Sequence, residues 1–334
     1  MKRLLLFTIC LFVLVMSYSA CTTFVIQDEN NLVFGRNLDW VSDNGLIAVN
    51  KRGVQKRALV FTPDQPAVWT SKYGSVTFNQ FGKEFPYGGI NEKGLVVEIM
   101  VVAGEYPQAD QRKAVNELQW VQYQLDNCQT IEEVIASNKD IRISKISQDI
   151  HFLVCDSLGN VAVIEFMNGK QVAYTGEDLK YPVLENSNYK TSLWNREHNK
   201  KCRFNTAVNL IEQYEPERNV IEYAFEILEE VKLDGSWSIV YDIQNKQVHF
   251  HTASDQKKKV IRINQFDFSC QKDHLVYDLK APYTRDITSQ FEVYSRALHK
   301  AKFDDGLKTN KLYLPPAIYE RFINYPETCE CIDT

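Results

Sequence analysis

Apolar and polar residues alternate through Thr23 and Val25, break at the polar run 27–31, and alternate again through Leu32 and Phe34. A period of two on both sides of a short polar break predicts a β-hairpin. Its second arm runs into Gly35-Arg36-Asn37-Leu38-Asp39-Trp40. Antiparallel pairing at this length returns the stretch from Arg36 to Asp39 to the start of the first arm, beside Cys21.

Further along, residues 46–61 are strand-rich and end in the loop 62–66, and residues 68–78 alternate as a strand pair. Residues 85–89 form a glycine turn. It leads into Asn91-Glu92-Lys93-Gly94-Leu95, a second turn, and then into a buried strand to Val102. Leu118, Val121 and Leu125 recur at helical spacing, and Thr130 with Glu133 makes a capping box for a helix ending at Ala136. Strands follow at 150–155, 161–166 (after a turn at 157–160) and 171–174, and residues 181–188 read as a strand ending in a polar loop. Residues 204–214 and 220–231 form a helix pair broken at Pro216. The final third reads mostly as strand, with a hairpin 236–241/246–252 and a continuation at 260–268. Two helix blocks, each framed by strands, predict packed sheets with helices outside. The chain contains no internal repeat or low-complexity tract.

Ahead of the hairpin lies a different pattern. Lys2 and Arg3 precede a mostly apolar run from Leu4 to Met16, followed by the small or polar Ser17, Ser19 and Ala20. This layout predicts a secretory leader over residues 1–20, which leaves 21–334 as one domain and places the protein outside the cytoplasm, periplasmic or secreted. The run falls short of the ~18–20 residues a bilayer span needs, so no membrane span is expected after cleavage. Tyr18 is a poor fit three residues before the cut. A cut after Ser17, with self-removal of residues 18–20, is the alternative.

The chain carries 38 basic and 43 acidic residues, a net charge of −5, and loss of Lys2 and Arg3 makes it more acidic still. An acidic chain is a poor nucleic-acid partner. A homo-oligomer is compatible with the composition. Of eight cysteines, Cys10 lies in the leader. Setting Cys21 aside leaves Cys128, Cys155, Cys202, Cys270, Cys329 and Cys331. Cys155 and Cys202 read as buried thiols, and the Cys329-Glu330-Cys331 pair as one end of a disulfide to a distant cysteine.

Cys21 changes the picture most. Cleavage before it gives one residue a thiol and a free α-amine, whose unperturbed pKa near ~7.7–8.0 lets it take the thiol proton without a histidine. Arg36 and Asp39, returned by the hairpin, suit a reactive thiol.

Five motifs fall in order: Cys21, the GRNLDW of 35–40, the NEKGL of 91–95, Asn186-Ser187 and Arg203-Phe204. Together they resemble the choloylglycine hydrolase family, which contains bile salt hydrolases and penicillin V acylases among the N-terminal nucleophile hydrolases. The resemblance covers most of the chain up to Thr252. It implies an α+β fold, a four-layer αββα sandwich, and hydrolysis of a small-molecule N-acyl amide without metal or organic cofactor. In that scheme Cys21 attacks the amide carbonyl, Arg36 favours the thiolate and Asp39 holds the α-amine. Asn186 donates to the oxyanion, Arg203 steadies the cluster, and Trp40 and the backbone N–H of Val101 meet the substrate. Val101 stands where bile salt hydrolases carry asparagine and penicillin acylases tyrosine. An apolar Val101, with Trp40 and the aromatic stretch 78–87, suits a hydrophobic acyl group. Trp40 after the aspartate is similar to the Gram-negative branch, which includes enzymes acting on N-acyl homoserine lactones.

Blander readings stand beside these. Arg36 and Asp39 alone would be a surface ion pair, Asn91 and Gly94 only a turn, and Asn186 a loop asparagine. His249 and His251 share one face of a strand that reads as solvated, not as a metal site. Trp237 and Tyr241 read as core or pocket wall. Two other functions compete: a lipoprotein with lipid on Cys21, disfavoured by the absence of a flexible tether, and a papain-like hydrolase using His151 or His198.

Overall fold

The computed structural model describes residues 20–332 apart from Asp234 and Ser236, so the expected leader to residue 19 lies outside the described residues. The hairpin forms as read. Thr22–Gln27 pairs antiparallel with Leu32–Leu38, Thr22 opposite Asn37 and Thr23 opposite Arg36. It is the middle of a six-stranded sheet ordered Val183–Leu184, Thr22–Gln27, Leu32–Leu38, Trp237–Asp242, Gln247–Thr252, Asp255–Arg262.

A second, nine-stranded sheet runs Lys170–Thr175, Val161–Met167, Ile150–Cys155, Val96–Val101, Gly88–Asn91, Ser75–Asn79, Leu46–Asn50, Leu275–Asp278, Glu292–Val293. The inner faces of the two sheets meet in one apolar core containing Phe34, Phe78, Met100, Trp237 and Phe250. Helices Arg203–Glu212 and Val220–Val231 cover the outside of the six-stranded sheet, and Tyr189–Glu197 packs on the first of them. Helices Glu117–Asn127 and Ile131–Ala136 close the other face over a separate apolar layer with Trp120 and Phe152. The fold is a four-layer αββα sandwich, as the resemblance implied.

Local chemistry explains the elements. The side chain of Asn219 accepts from Glu222 N at 3.1 Å and starts Val220–Val231. That helix buries Val220, Tyr223, Ala224, Ile227, Leu228 and Val231, one continuous stripe at helical spacing. Truncating Leu228 to alanine would cost roughly 2–5 kcal/mol. Thr130 caps Ile131–Ala136 by accepting from Glu133 N, while Glu133 reaches back to Gln129 N, one residue earlier than a regular capping box.

Several expectations need correction. Val68–Thr70 and Ser75–Asn79 do not pair with each other: the first joins Val54–Arg57, the second lies between Leu46–Asn50 and Gly88–Asn91. Tyr189–Glu197 is a helix in a stretch for which the sequence pattern predicts no element. The last stretch is not mostly strand, because it contains helices Arg296–Thr309 and Pro316–Ile323. His251 is buried and its ring packs on Phe225, so its face of the sheet lies under Val220–Val231 and is not solvated. The disulfide expected at the C-terminal cysteine pair does form: Cys331 bonds Cys270 across a Cα separation of 5.5 Å.

Candidate active site

Strand geometry sorts the GRNLDW segment into two sets. Phe34, Arg36 and Leu38 face the gap between the sheets, while Asn37 faces outward, donating to Leu228 O at 2.6 Å and accepting from Ser238 Oγ at 2.7 Å. Asn37 thus ties the strand to its covering helix. Cys21, next in register before Thr22, shares the inner face with Thr23, whose hydroxyl meets the Met100 sulfur at 3.4 Å. Cys21 is 2% exposed and Arg36 1%. The Arg36 guanidinium lies on the same inner face, diagonally across the ladder from Cys21. Burial works against that guanidinium, but Glu98, Cys21 and Tyr241 outweigh it and hold it above the ordinary arginine value.

Asp39 lies just past the strand. Its Oδ1 accepts from Gly235 N at 2.7 Å and Leu233 N at 3.1 Å. Its Oδ2 is buried with no hydrogen-bond partner among the described residues. Burial pushes this carboxyl above the usual range, against those two N–H donors and the pull of Arg203 and Arg36. The backbone runs alongside: Ala20 N donates to Asp39 O at 3.4 Å.

On the other side, Arg203 occupies the first position of Arg203–Glu212, where a helical side chain points back past the N-terminus and so reaches across the sheet end. It donates to Cys21 O at 2.6 Å, Thr22 Oγ1 at 2.7 Å and Asn186 Oδ1 at 3.0 Å, and lies 3.7 Å from Glu185. Asn186 Nδ2 donates to Val101 O at 2.7 Å. Tyr106 occupies both backbone groups of Ile150, while Val102 N bonds Asp149 O. By the alternation of an antiparallel ladder, Val101 N–H therefore points away from Ile150, to the side on which its carbonyl meets Asn186.

Trp40 is half-buried, donates Nε1–H to Asn310 Oδ1 at 2.7 Å and contacts Tyr87 edge-on. Phe81 stacks on Tyr87 and touches Phe303 of Arg296–Thr309. The aromatic stretch 78–87 is split, however. Phe78 belongs to the intersheet core with Trp237 and Phe250, and Phe85 packs on Phe322 and Tyr325, so neither joins Trp40.

Asn91 is structural, as the turn reading held. Its Oδ1 accepts from Lys93 N and Leu95 N, its Nδ2 donates to Leu125 O and Cys128 O, and Gly94 takes φ 91°. His151 is buried between Glu165 Oε1 at 3.0 Å and Glu185 O at 2.7 Å, and exposed His198 stacks on Trp194. Both are accounted for by these contacts. Among the described residues no cluster of three His, Cys, Asp or Glu side chains is fit to hold a metal ion. A cavity of about 250 Å³ lined by Arg52, Glu92, Lys246 and Phe268 shares no residue with the Cys21 cluster.

The cluster Cys21, Arg36, Asp39, Asn186 and Arg203 is thus brought together, with Val101 beside it. The family model described as linear amide C–N hydrolases, choloylglycine hydrolase family, matches residues 21–215, more than half of the chain, starting at this cysteine. The chain belongs to the choloylglycine hydrolase family. It is similar to a penicillin V acylase of Pectobacterium atrosepticum, 31% identical over 191 residues covering 50% of this chain and 49% of that protein. The match thus spans about half the length of that curated relative. Among solved structures, penicillin V acylase from Agrobacterium tumefaciens superposes with TM-score 0.71 at 22% identity, covering 82% of this chain and 98% of the other. A mutant conjugated bile acid hydrolase from Clostridium perfringens gives 0.63 at 14%, covering 80% and 98%. At these identities the two structures speak for the fold.

Two features of this family member were missed in the sequence. Glu98 stands alone in an apolar strand, and that lone acid was the available signal; its partners Arg36 and Tyr241 could not be found without the sheet pairing. Asn310 lies in the C-terminal segment beyond the family match, and no local pattern links it to Trp40.

Proposed function

We propose that this protein is an N-terminal nucleophile amidohydrolase of linear amides, with Cys21 as nucleophile and its own α-amine as base. The observation that carries this reading is the buried Oδ2 of Asp39, without a hydrogen-bond partner among the described residues, beside the chain at Ala20 and Cys21. A buried carboxylate oxygen without a donor costs about 1–3 kcal/mol, and an α-amino group freed at Cys21 supplies one. Removal of residues 1–20 creates that amine. An exported location accords with the leader and with the Cys270–Cys331 disulfide.

The mechanism follows from the groups in place. The α-amine takes the Cys21 thiol proton as sulfur adds to the amide carbonyl, and Arg36 stabilises the developing thiolate. The tetrahedral oxyanion lies between the second N–H of the Asn186 amide and Val101 N–H. Collapse breaks the C–N bond, and the ammonium returns its proton to the leaving nitrogen. Water, deprotonated by the same amine, then hydrolyses the thioester. Arg203 fixes the Cys21 carbonyl and the Asn186 oxygen throughout.

The substrate is an N-acyl amide with a hydrophobic acyl part, seated against Val101, Trp40 and Tyr87. The test is kcat/KM for wild type, Cys21→Ala and Val101→Asn on glycine- and taurine-conjugated bile salts, phenoxyacetyl amides and acyl homoserine lactones. Cys21→Ala is expected to abolish all turnover, and Val101→Asn to move preference toward bile salts. Undiminished hydrolysis by Cys21→Ala would rule the mechanism out, and a wild-type preference for hydroxyl-rich bile salts would rule out the acyl assignment.

A further inference from the structure

Glu98 is a carboxylate set in the middle of the intersheet core. It belongs to Val96–Val101, is 1% exposed, and lies on the same face as Met100. One carboxylate oxygen forms an ion pair with Arg36 Nε, and the other accepts from the Tyr241 hydroxyl at 2.5 Å. Its cross-strand neighbour is Gly88, and the fold depends on that glycine: a Cβ there would collide with the Glu98 carboxyl. Its other neighbour, Leu153, is apolar. Arg36 in turn donates Nη2–H to Ile99 O at 3.2 Å, and its Nη1 has no hydrogen-bond partner among the described residues. Three strands and a glycine are therefore committed to placing one acid behind the arginine that faces Cys21.

We propose that Glu98 is a positioning residue for the hydrolysis: held by Tyr241, it clamps the Arg36 guanidinium beside Cys21 and offsets part of its charge, setting how strongly the thiolate is favoured. This rests on the reading of Cys21 as nucleophile. The groups facing Glu98 are Arg36 and Tyr241. Those facing Arg36 are Glu98, Tyr241, Cys21 and, more weakly, the Asp39 carboxyl and the Tyr87 phenol, which burial keeps neutral. Burial pushes the Glu98 carboxyl up to about 7 against the pull of Arg36 and Tyr241. The offset therefore changes within the working pH range. Below it a protonated Glu98 leaves the full arginine charge to the thiolate, and above it an ionised Glu98 cancels part of it.

The test is the pH dependence of Cys21 alkylation by iodoacetamide in the processed protein, read by mass spectrometry, with Cys21→Ala supplying the background from other thiols. In Glu98→Gln the arginine charge is no longer offset, and the alkylation midpoint moves to lower pH by about one unit, equivalent to tenfold more thiolate. Glu98→Asp, which keeps the charge, stays nearer wild type. If Glu98→Gln does not fold, Tyr241→Phe decides: losing its donor raises the protonated fraction of Glu98 and shifts the midpoint the same way by less. An unmoved midpoint in folded Glu98→Gln, or in Tyr241→Phe where it replaces it, overturns the proposal while leaving Cys21 as nucleophile. Hydrolysis retained in Cys21→Ala would instead remove the reading of the site and leave the alkylation result standing.

Discussion

Arg203 donates to the carbonyl oxygen of Cys21 at 2.6 Å, so this cation grips the backbone of the proposed nucleophile, while Arg36 is the cation proposed to serve its sulfur. The two arginines therefore divide the work. Arg203→Ala loses a charged hydrogen bond worth ~1.5–3 kcal/mol and releases Asn186 as well. Steady-state kinetics are expected to show kcat/KM lower by roughly 10- to 100-fold, with the alkylation rate of Cys21 little changed. Equal losses in both measurements would mean that Arg203 acts on the thiol directly.

Asp39→Asn is nearly isosteric, and its oxygen can still accept from Gly235 and Leu233. The other atom now donates and repels an ammonium group. Activity should fall by roughly 10²-fold or more. Because burial holds the Asp39 carboxyl above its ordinary value, the wild-type acid limb should lie above the range of a solvated aspartate and vanish from the residual activity of the variant. A variant with full kcat would show that the buried Oδ2 is not part of the machinery.

How far the sequence reached can be judged from these residues. Arg36 and Asp39 were legible because a hairpin register is local: once period-two alternation and turn length are read, the cross-strand neighbours of Cys21 follow. Helix Val220–Val231 was legible because its apolar stripe is complete. Tyr189–Glu197 was not, since it buries only Tyr189 and Ser192. Arg296–Thr309 likewise hides His299, Lys302 and Gly306 beside a single Phe303. Without an apolar stripe there is no periodicity to read. The partners of Ser75–Asn79 and the Arg36–Glu98–Tyr241 contact depend on sheet order, which long-range pairing decides. Asn186 and Arg203 were reached only through the family motifs, because no local pattern brings a loop asparagine and a helix start to one cysteine.

Stability should carry the mark of Glu98. Its folded value of about 7 lies above the ordinary 4.5, so the folded state holds a proton that the unfolded chain releases. The contribution is complete below the ordinary value and is lost as pH rises through 7. At roughly 1.4 kcal/mol per pH unit the loss is on the order of 3 kcal/mol. Denaturant melts of wild type and Glu98→Gln across pH 4.5–7.5 should show this slope only in wild type. Parallel curves would mean that Glu98 remains ionised throughout.

Asn91 separates framework from chemistry. Asn91→Ala loses four hydrogen bonds that close the 91–95 turn onto the end of Glu117–Asn127. A destabilisation of about 2–4 kcal/mol is expected in urea titration, with kcat/KM per folded molecule unchanged. A selective loss of kcat in a stable variant would give Asn91 a chemical role that its contacts do not suggest.

The most direct measurement compares two purified forms of the same chain, one beginning at Cys21 and one retaining Ala20, each verified by intact mass and assayed on the same amide substrate. Only the first carries an α-amine on Cys21 itself, the group proposed to deprotonate the thiol and meet Asp39. It is predicted to turn over the substrate and to carry no added lipid mass, while the Ala20 form is inactive although folded. Comparable activity in the form that retains Ala20 would contradict an N-terminal cysteine acting as both nucleophile and base.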